Sequence, residues 1–149
     1  MMKTIANNRK ARHEYEIINT IETGIVLLGT EVKSLRDGKA NLTDAYARIK
    51  SNELWLISLH ISAYAKSVIA NHDPLRERKL LVNKMELKKL RRQIDEKGVT
   101  LVPLKVYFKD HLVKVEIALA RGKKKYDKRA AIAERDMKRD LDRSSKLKY

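Results

Sequence analysis

The chain contains no cysteine among its 149 residues, and this absence excludes several kinds of protein at once. Without thiols there is no disulfide framework, no cysteine nucleophile and no cysteine-ligated zinc or iron–sulfur centre. Glycine and proline are also scarce, at five and two residues, and aromatic residues make up only 5% of the chain. We therefore expect neither a glycine-rich phosphate-binding loop nor a large enzyme pocket.

Long hydrophobic runs are lacking as well. The longest apolar stretches, such as residues 25–28, span only a few positions, and the basic first residues are not followed by an apolar segment. This pattern predicts neither a signal peptide nor a membrane span. Together with the absence of cysteine, it leads us to expect a cytoplasmic protein.

Negative charge is in short supply. The chain has 34 Lys and Arg against 19 Asp and Glu, which leaves a formal net charge of +15 and predicts a polyanionic partner. Residues 1–120 carry a net charge of +8, and residues 121–149 alone carry +7. The last stretch has too few large apolar residues for a core of its own. We therefore place a domain boundary near Arg121, with a folded domain over residues 1–120 and a basic tail over residues 121–149.

The folded part is expected to be mainly β. We predict a long strand bent at Gly24 over residues 15–28, a hairpin turning at residues 51–52, and two strands, over residues 101–108 and 112–119, joined by a turn. Pro103 lacks an N–H donor, so its strand should lie at an edge or carry a bulge there. Residues 30–36 fit a helical turn as well as the end of a strand.

One helix is well marked. It should begin after Asn83, whose side chain is followed by Glu86 as in a capping box, and end at Gly98. Several short strands with this helix between two hairpins predict a small closed antiparallel barrel of the OB type, with flanking helices and a basic C-terminal tail.

No catalytic or metal-binding motif is apparent. The four histidines do not fall at metal-ligand spacing, and the sequence has no nucleophile elbow, P-loop or dinucleotide fingerprint. We therefore expect no metal, no cofactor and no enzyme activity.

Two basic regions are candidates for nucleic-acid binding. The first precedes the predicted helix and continues along it. It is either a surface that binds phosphates or simply a solvated face of the helix. It comprises Arg76, Arg78, Lys79, Lys84, Lys88, Lys89, Arg91 and Arg92. The second surrounds Tyr126, whose ring would stack on a base or remain exposed without a partner. A thin apolar stripe of Ala130, Ala133, Met137 and Leu141 predicts that the tail forms a helix only when a partner orders it.

Four blocks of sequence resemble the SmpB family, the small B proteins that bind transfer-messenger RNA (tmRNA). The blocks lie in order across almost the whole chain, at residues 8–15, 29–36, 73–81 and 122–129. The resemblance implies an RNA-binding adaptor that binds the tRNA-like domain of tmRNA, takes the place of its missing anticodon arm and delivers it to stalled ribosomes in trans-translation. Elongation factor Tu, in complex with alanyl-tmRNA, is an implied partner.

The resemblance also assigns candidate site residues. The tmRNA-binding positions of the family fall on Asn8, Glu22, Leu81 and Asn83, and we add the cations Arg9, Lys33, Arg36, Arg78 and Lys79 from the same blocks. Gly122 and Tyr126 match positions that engage the decoding centre of the small subunit, with the tail continuing into the empty mRNA channel. Their candidate companions are Lys123, Lys124, Asp127, Lys128 and Arg129. The alternative function is a general RNA-binding or ribosomal OB-barrel protein.

Overall fold

The computed structural model describes residues 2–67, 70–95 and 98–122. These residues form nine strands and three helices, so the prediction of a mainly β protein is confirmed. The strands are β1 (Met2–Asn7), β2 (Tyr15–Ile25), β3 (Ala40–Asn41), β4 (Tyr46–Lys50), β5 (Glu53–Ile57), β6 (His60–Ile61), β7 (Arg78–Leu81), β8 (Val99–Lys109) and β9 (Leu112–Gly122). The helices are α1 (Arg9–Glu14), α2 (Gly29–Arg36) and α3 (Lys84–Ile94).

The main sheet has seven antiparallel strands in the order β1-β8-β4-β5-β7-β2-β9, with a further pairing between β8 and β9. Because β8 pairs with β9 as well as with β4, the pairings run in a cycle through six strands. β1 and β4 share one edge of β8, where β1 pairs along residues 105–109 and β4 pairs only through Ala47 and Leu101. β3 and β6 form a separate two-stranded ladder.

The core lies on the inner face of these strands. Its members are mostly leucine, isoleucine and valine from every part of the cycle, including Leu54, Leu56, Leu80, Leu101, Val106, Val115, Ile117 and Leu119. The predicted alternation of β9 is confirmed, because Val115, Ile117 and Leu119 lie in this core. The outward positions Ala118 and Ala120 are also buried, in a second cluster with Ala11 of α1.

The β4–β5 turn, the irregularity at Pro103 and the start of α3 match the expectations. Ser51 and Asn52 both have positive φ, at 52° and 60°, as a tight two-residue hairpin between β4 and β5 requires. The register of β8 against β9 shifts between Pro103 and Lys105, so the expected irregularity at Pro103 is a bulge. α3 begins where predicted, and the Asn83 side chain accepts a hydrogen bond of 2.8 Å from the backbone N–H of Met85. The helix ends at Ile94 rather than at Gly98, whose φ is +86°.

Other expectations need correction. β2 ends at Ile25 rather than residue 28, and its register shifts between Ile17 and Asn19 rather than at Gly24. A side chain at Gly24 would have its Cβ 3.2 Å from Cβ of Leu81, so this glycine serves close strand packing instead of a bend. Residues 30–36 belong to α2. The sequence did not predict β1, α1, β3, β6 or β7, which are short and have no strong periodic pattern.

Candidate nucleic-acid interface

The outer face of β2, β9 and β8 presents a carboxylate held by two donors. Alternation along β8 places Lys105, Tyr107 and Lys109 on one face of the strand. The Tyr107 hydroxyl donates a short hydrogen bond to Oε2 of Glu22, and Nζ of Lys109 lies 3.3 Å from Oε1 of the same carboxylate. Glu22 itself is exposed, so its carboxylate is oriented yet accessible to a ligand.

These contacts fix the protonation state of the pair. The hydrogen bond from Tyr107 is the largest cause of a lowered pKa at Glu22, and Lys109 and Lys114 contribute in the same direction. Burial, followed by the hydrogen bond to Glu22, raises the pKa of the Tyr107 phenol well above its ordinary value. Near neutral pH, Tyr107 is therefore a donor and Glu22 an ionised acceptor.

Leu81 lies on the same outer face as Glu22. Gly24 is two residues from Glu22 on β2, and it pairs with Leu81 on one side and with Lys114 on the other. Leu81 is 51% exposed, although it is apolar, because it covers Gly24 on the outside of the sheet. We call this patch the Glu22 surface and define it by Glu22, Leu81, Tyr107, Lys109 and Lys114.

Asn83 follows Leu81 by two residues and is exposed. Its Oδ1 caps α3, whereas its Nδ2 makes no hydrogen bond within the described parts of the chain. Capping the helix and contacting a ligand therefore require different atoms of one side chain, so the two roles predicted for Asn83 are compatible.

Asn8 does not lie on an accessible surface of this structure, and its contact with tmRNA stays a prediction. It is 4% exposed, and its Nδ2 donates to the carbonyls of Pro103 at 3.0 Å and Leu42 at 3.3 Å. Its Oδ1 accepts from the backbone N–H of Ala11 at 3.0 Å and caps α1. Asn8 thus joins α1 to the bulge of β8 and supports the fold.

Arg78 is likewise buried, so it does not lie on the basic surface predicted for it, and its contribution to tmRNA binding stays a prediction. Along β7, Arg78 and Leu80 point inward while Lys79 and Leu81 point outward. The guanidinium forms an ion pair with the buried carboxylate of Glu31 and also donates to the carbonyl of Leu59.

Glu31 accepts from two further donors besides Arg78. Arg76 donates to it at 2.6 Å, and the backbone N–H of Leu28 donates at 2.7 Å, which caps the start of α2. Burial alone would raise the pKa of Glu31, but these hydrogen bonds and Arg78 outweigh it and leave the pKa below its ordinary value. A charged cluster inside the fold therefore joins α2 to β7.

The remaining predicted cations of the folded part lie on different elements. Arg9 is exposed at the start of α1, and Arg36 lines a pocket with Lys3, Phe108 and His111 at the end of α2. Nζ of Lys33 lies 5.6 Å from the ring centroid of Tyr64. Lys79 forms an ion pair with Glu53 on the outer face. Among these four, only Lys79 shares a strand face with a member of the Glu22 surface, namely Leu81.

The predicted ribosome-binding residues are at the end of the described chain or beyond it. Gly122 ends β9 and pairs with Tyr15 at the start of β2. The other candidates lie outside the described residues: Lys123, Lys124, Tyr126, Asp127, Lys128 and Arg129.

Three members of the Glu22 surface were missed from the sequence: Tyr107, Lys109 and Lys114. Their signal was the two-residue alternation of β8 and β9, which places Tyr107 and Lys109 on one face and pairs Tyr107 with Lys114. No helix of the described residues is long and apolar enough to cross a membrane. Within the same residues, no group of three or more histidine or acidic side chains is arranged to hold a metal ion.

Comparison with known proteins gives a consistent result. The family described as SmpB protein matches residues 5–147. The chain belongs to the SmpB family. It is 56% identical to the SsrA-binding protein of Desulforudis audaxviator, with 98% of this chain and 95% of the relative covered. It is 55% identical to the SsrA-binding protein of Acetivibrio thermocellus, with 99% and 96% covered.

A solved structure shares the fold of this SmpB family member. It is described as "tmRNA-SmpB: a journey to the center of the bacterial ribosome", and the match has a TM-score of 0.67 and 52% sequence identity. The aligned part covers 78% of this chain and 82% of the other.

Proposed function

We propose that this chain is a tmRNA-binding protein of trans-translation, which binds the tRNA-like domain of tmRNA and delivers it to stalled ribosomes. The observation that carries this proposal is the match to SsrA-binding proteins over nearly the full chain at more than half identity. The net charge of +15 supplies the electrostatic attraction that an RNA ligand requires. Its function as an adaptor is binding, without a chemical step.

The scaffold for this function is a closed OB-like barrel. The cycle of pairings through β8, β4, β5, β7, β2 and β9 supports closure, and α1, α2 and α3 flank it. A closed barrel leaves few free strand edges and holds outward side chains at fixed spacing. Such a rigid surface suits recognition of a folded RNA by shape.

The Glu22 surface is the proposed contact with tmRNA. A carboxylate repels phosphate, but one that is oriented by Tyr107 is placed to accept hydrogen bonds from base amino groups or ribose 2′-hydroxyls. Lys109 and Lys114 beside it would contact phosphates, and exposed Leu81 would pack on a sugar or base. The free Nδ2 of Asn83 adds a donor at one end of this surface.

Asn8 and Arg78 contribute by holding this scaffold together. Asn8 fixes α1 against β8, which carries Tyr107, and Arg78 anchors β7, which carries Leu81. Exposed Arg9, Lys33, Arg36 and Lys79 add phosphate contacts outside the Glu22 surface.

The tail has the second role in this proposal. In the basic tail of residues 121–149, the part beyond Gly122 becomes helical in the empty mRNA channel, while Gly122 and Tyr126 engage the decoding centre of the small subunit. Elongation factor Tu joins the same complex through alanyl-tmRNA. The concentration of +7 in this short segment supports binding to an RNA-lined channel.

A truncation after Gly122 tests this division of labour. We expect the truncated protein to bind tmRNA within about threefold of the full chain, because the Glu22 surface is retained, yet to support no tagging of stalled nascent chains. The two readouts are the affinity for tmRNA and the yield of tagged product, and thermal melting checks that the shortened protein is folded. Parallel loss of both activities in a folded protein would contradict the proposal.

A further inference from the structure

The only tryptophan of the chain lies on the outer face of the sheet, on a strand that β7 separates from the strand of Glu22. Trp55 is on β5, where its neighbours Leu54 and Leu56 point into the core and are 1% and 0% exposed. Its direct cross-strand partners are Arg48 on β4 and Lys79 on β7. Directly opposed residues of an antiparallel sheet share a face, so the indole lies between two cations on the outer side.

The cationic side chains around this ring form only exposed ion pairs or none. Nζ of Lys50 lies 5.3 Å from the ring centroid of Trp55 and 2.8 Å from Glu77, and Lys79 pairs with Glu53. These ion pairs are exposed, and such pairs add little stability, so a phosphate can replace either carboxylate. The Arg48 side chain makes no hydrogen bond or ion pair with any described residue.

Arg48 also belongs to a groove beside Trp55. The groove opens between β4 and α3, where β4 and β8 share a single residue pair, and it is lined by Tyr46, Arg48, Arg91 and Asp95 among others. Arg91 is held in place by a hydrogen bond of 2.7 Å to Oδ1 of Asn52. Arg48 and Arg91 are the two cations that line this groove, against the single carboxylate of Asp95.

We propose that Trp55 and this groove form a second RNA-contact surface, on which an unpaired base stacks against the indole while Arg48 and Arg91 bind the flanking phosphates. Alternating aromatic and cationic side chains are the usual platform for single-stranded nucleic acid. The occupant is an unpaired RNA segment rather than a duplex, because only a base that has left its stack can lie against the half-buried indole, where it would replace the ammonium of Lys50. This inference rests on the proposed RNA-binding function, and it adds a surface separated from Glu22 by β7 in the order of the sheet.

The single tryptophan makes the test direct, because all indole emission of the full chain comes from Trp55. Titration with a short oligoadenylate should quench this emission to saturation, whereas a blunt RNA duplex of equal charge should quench it much less. In binding measured with labelled oligoadenylate, Trp55→Ala should weaken affinity roughly tenfold or more, and Trp55→Phe should recover most of the loss.

Charge variants provide a matched control. Arg48→Gln should lower the affinity for oligoadenylate and reduce the steepness of its salt dependence, whereas Lys39→Gln, which removes one exposed cation elsewhere, should change the affinity by less than about twofold. Circular dichroism melting identifies any variant that has lost its fold.

Two outcomes would overturn the inference. One is equal quenching by oligoadenylate and duplex, which would indicate charge attraction without stacking. The other is unchanged oligoadenylate affinity in folded Trp55→Ala and Arg48→Gln proteins. Either outcome is compatible with the proposed function if the full chain still prefers tmRNA over other structured RNAs. Failure of this inference can therefore be distinguished from failure of the proposed function.

Discussion

The Tyr107 hydroxyl donates a hydrogen bond to the Glu22 carboxylate across 85 residues of sequence and joins β8 to β2 on the outer face of the sheet. Tyr107 is only 2% exposed, so a ligand cannot contact its ring directly. The exposed Glu22 carboxylate, which Tyr107 orients, is the group that a ligand would contact. The most specific residue of the proposed tmRNA contact therefore depends on a side chain that itself lies under the surface.

Removing that hydroxyl tests the dependence. Tyr107→Phe should weaken tmRNA binding about 5- to 30-fold, because a hydrogen bond to a charged group contributes about 1–2 kcal/mol to positioning. The measurement is tmRNA affinity in a double-mutant cycle with Glu22→Gln. We expect strong non-additivity, since Tyr107 acts through Glu22. Additive losses in the two single variants would contradict this role.

The buried ion pair gives a prediction about stability. Arg78→Met should destabilise the protein by about 3–5 kcal/mol, because it leaves the Glu31 carboxylate buried with part of its charge uncompensated. Lys79→Met is the matched control, since Lys79 is adjacent on β7 but points outward, and it should cost about 1 kcal/mol or less. Urea unfolding of both variants measures the difference. Similar losses in the two proteins would refute the assignment of Arg78 to the interior.

Glu31 also predicts how stability depends on pH. Its pKa in the folded protein lies below the ordinary value of 4.5, so its stabilising contribution is present above that value and is lost as the pH falls through the folded pKa. Wild type should therefore lose stability on acidification below about pH 4.5, and Glu31→Gln should show a flatter profile in this range. Unfolding free energies measured between neutral and acidic pH check this. A parallel pH profile in the two proteins would be inconsistent with the cluster.

Asn8 and Asn83 each cap a helix, but Asn8 is buried and Asn83 is exposed. Asn8→Ala should cost about 2–3 kcal/mol, because it removes the cap of α1 and leaves the buried carbonyl of Pro103 without its partner. Asn83→Ala removes an exposed cap and should cost about 1 kcal/mol. Asn83→Ala should weaken tmRNA binding more than Asn8→Ala does. Of these two side chains, only Asn83 has an amide donor that is not bonded to another described residue. Thermal unfolding and tmRNA affinity of both variants test these two rankings.

The sequence predicted those elements that local chemistry determines. The β4–β5 turn, the bulge at Pro103 and the start of α3 at Asn83 each depend on residues within a few positions of one another. The alternation of β9 likewise identified its inner face. Such features are predictable because turn conformation, the missing donor of proline and helix capping are local properties.

Long-range packing accounts for what was missed. Nothing near Arg78 in the sequence indicates that its partner is Glu31, 47 residues away, so a buried arginine was placed in a basic surface. Asn8 was assigned to RNA by resemblance, but its partners at Pro103 and Leu42 are distant in sequence. The Glu22 surface required the pairing of β2 with β9 and of β9 with β8, which no local pattern specifies.

Selective recognition of tmRNA is the central claim, and equilibrium competition measures it most directly. The full chain is bound to a labelled tRNA-like domain of tmRNA, and unlabelled tmRNA or an unrelated structured RNA of equal length is added at the same moderate salt concentration. We expect tmRNA to displace the label at a concentration at least about 100-fold lower, because shape and hydrogen bonding at the Glu22 surface add to general attraction for phosphates. Equal displacement by the two RNAs would contradict the account and identify a general RNA-binding barrel.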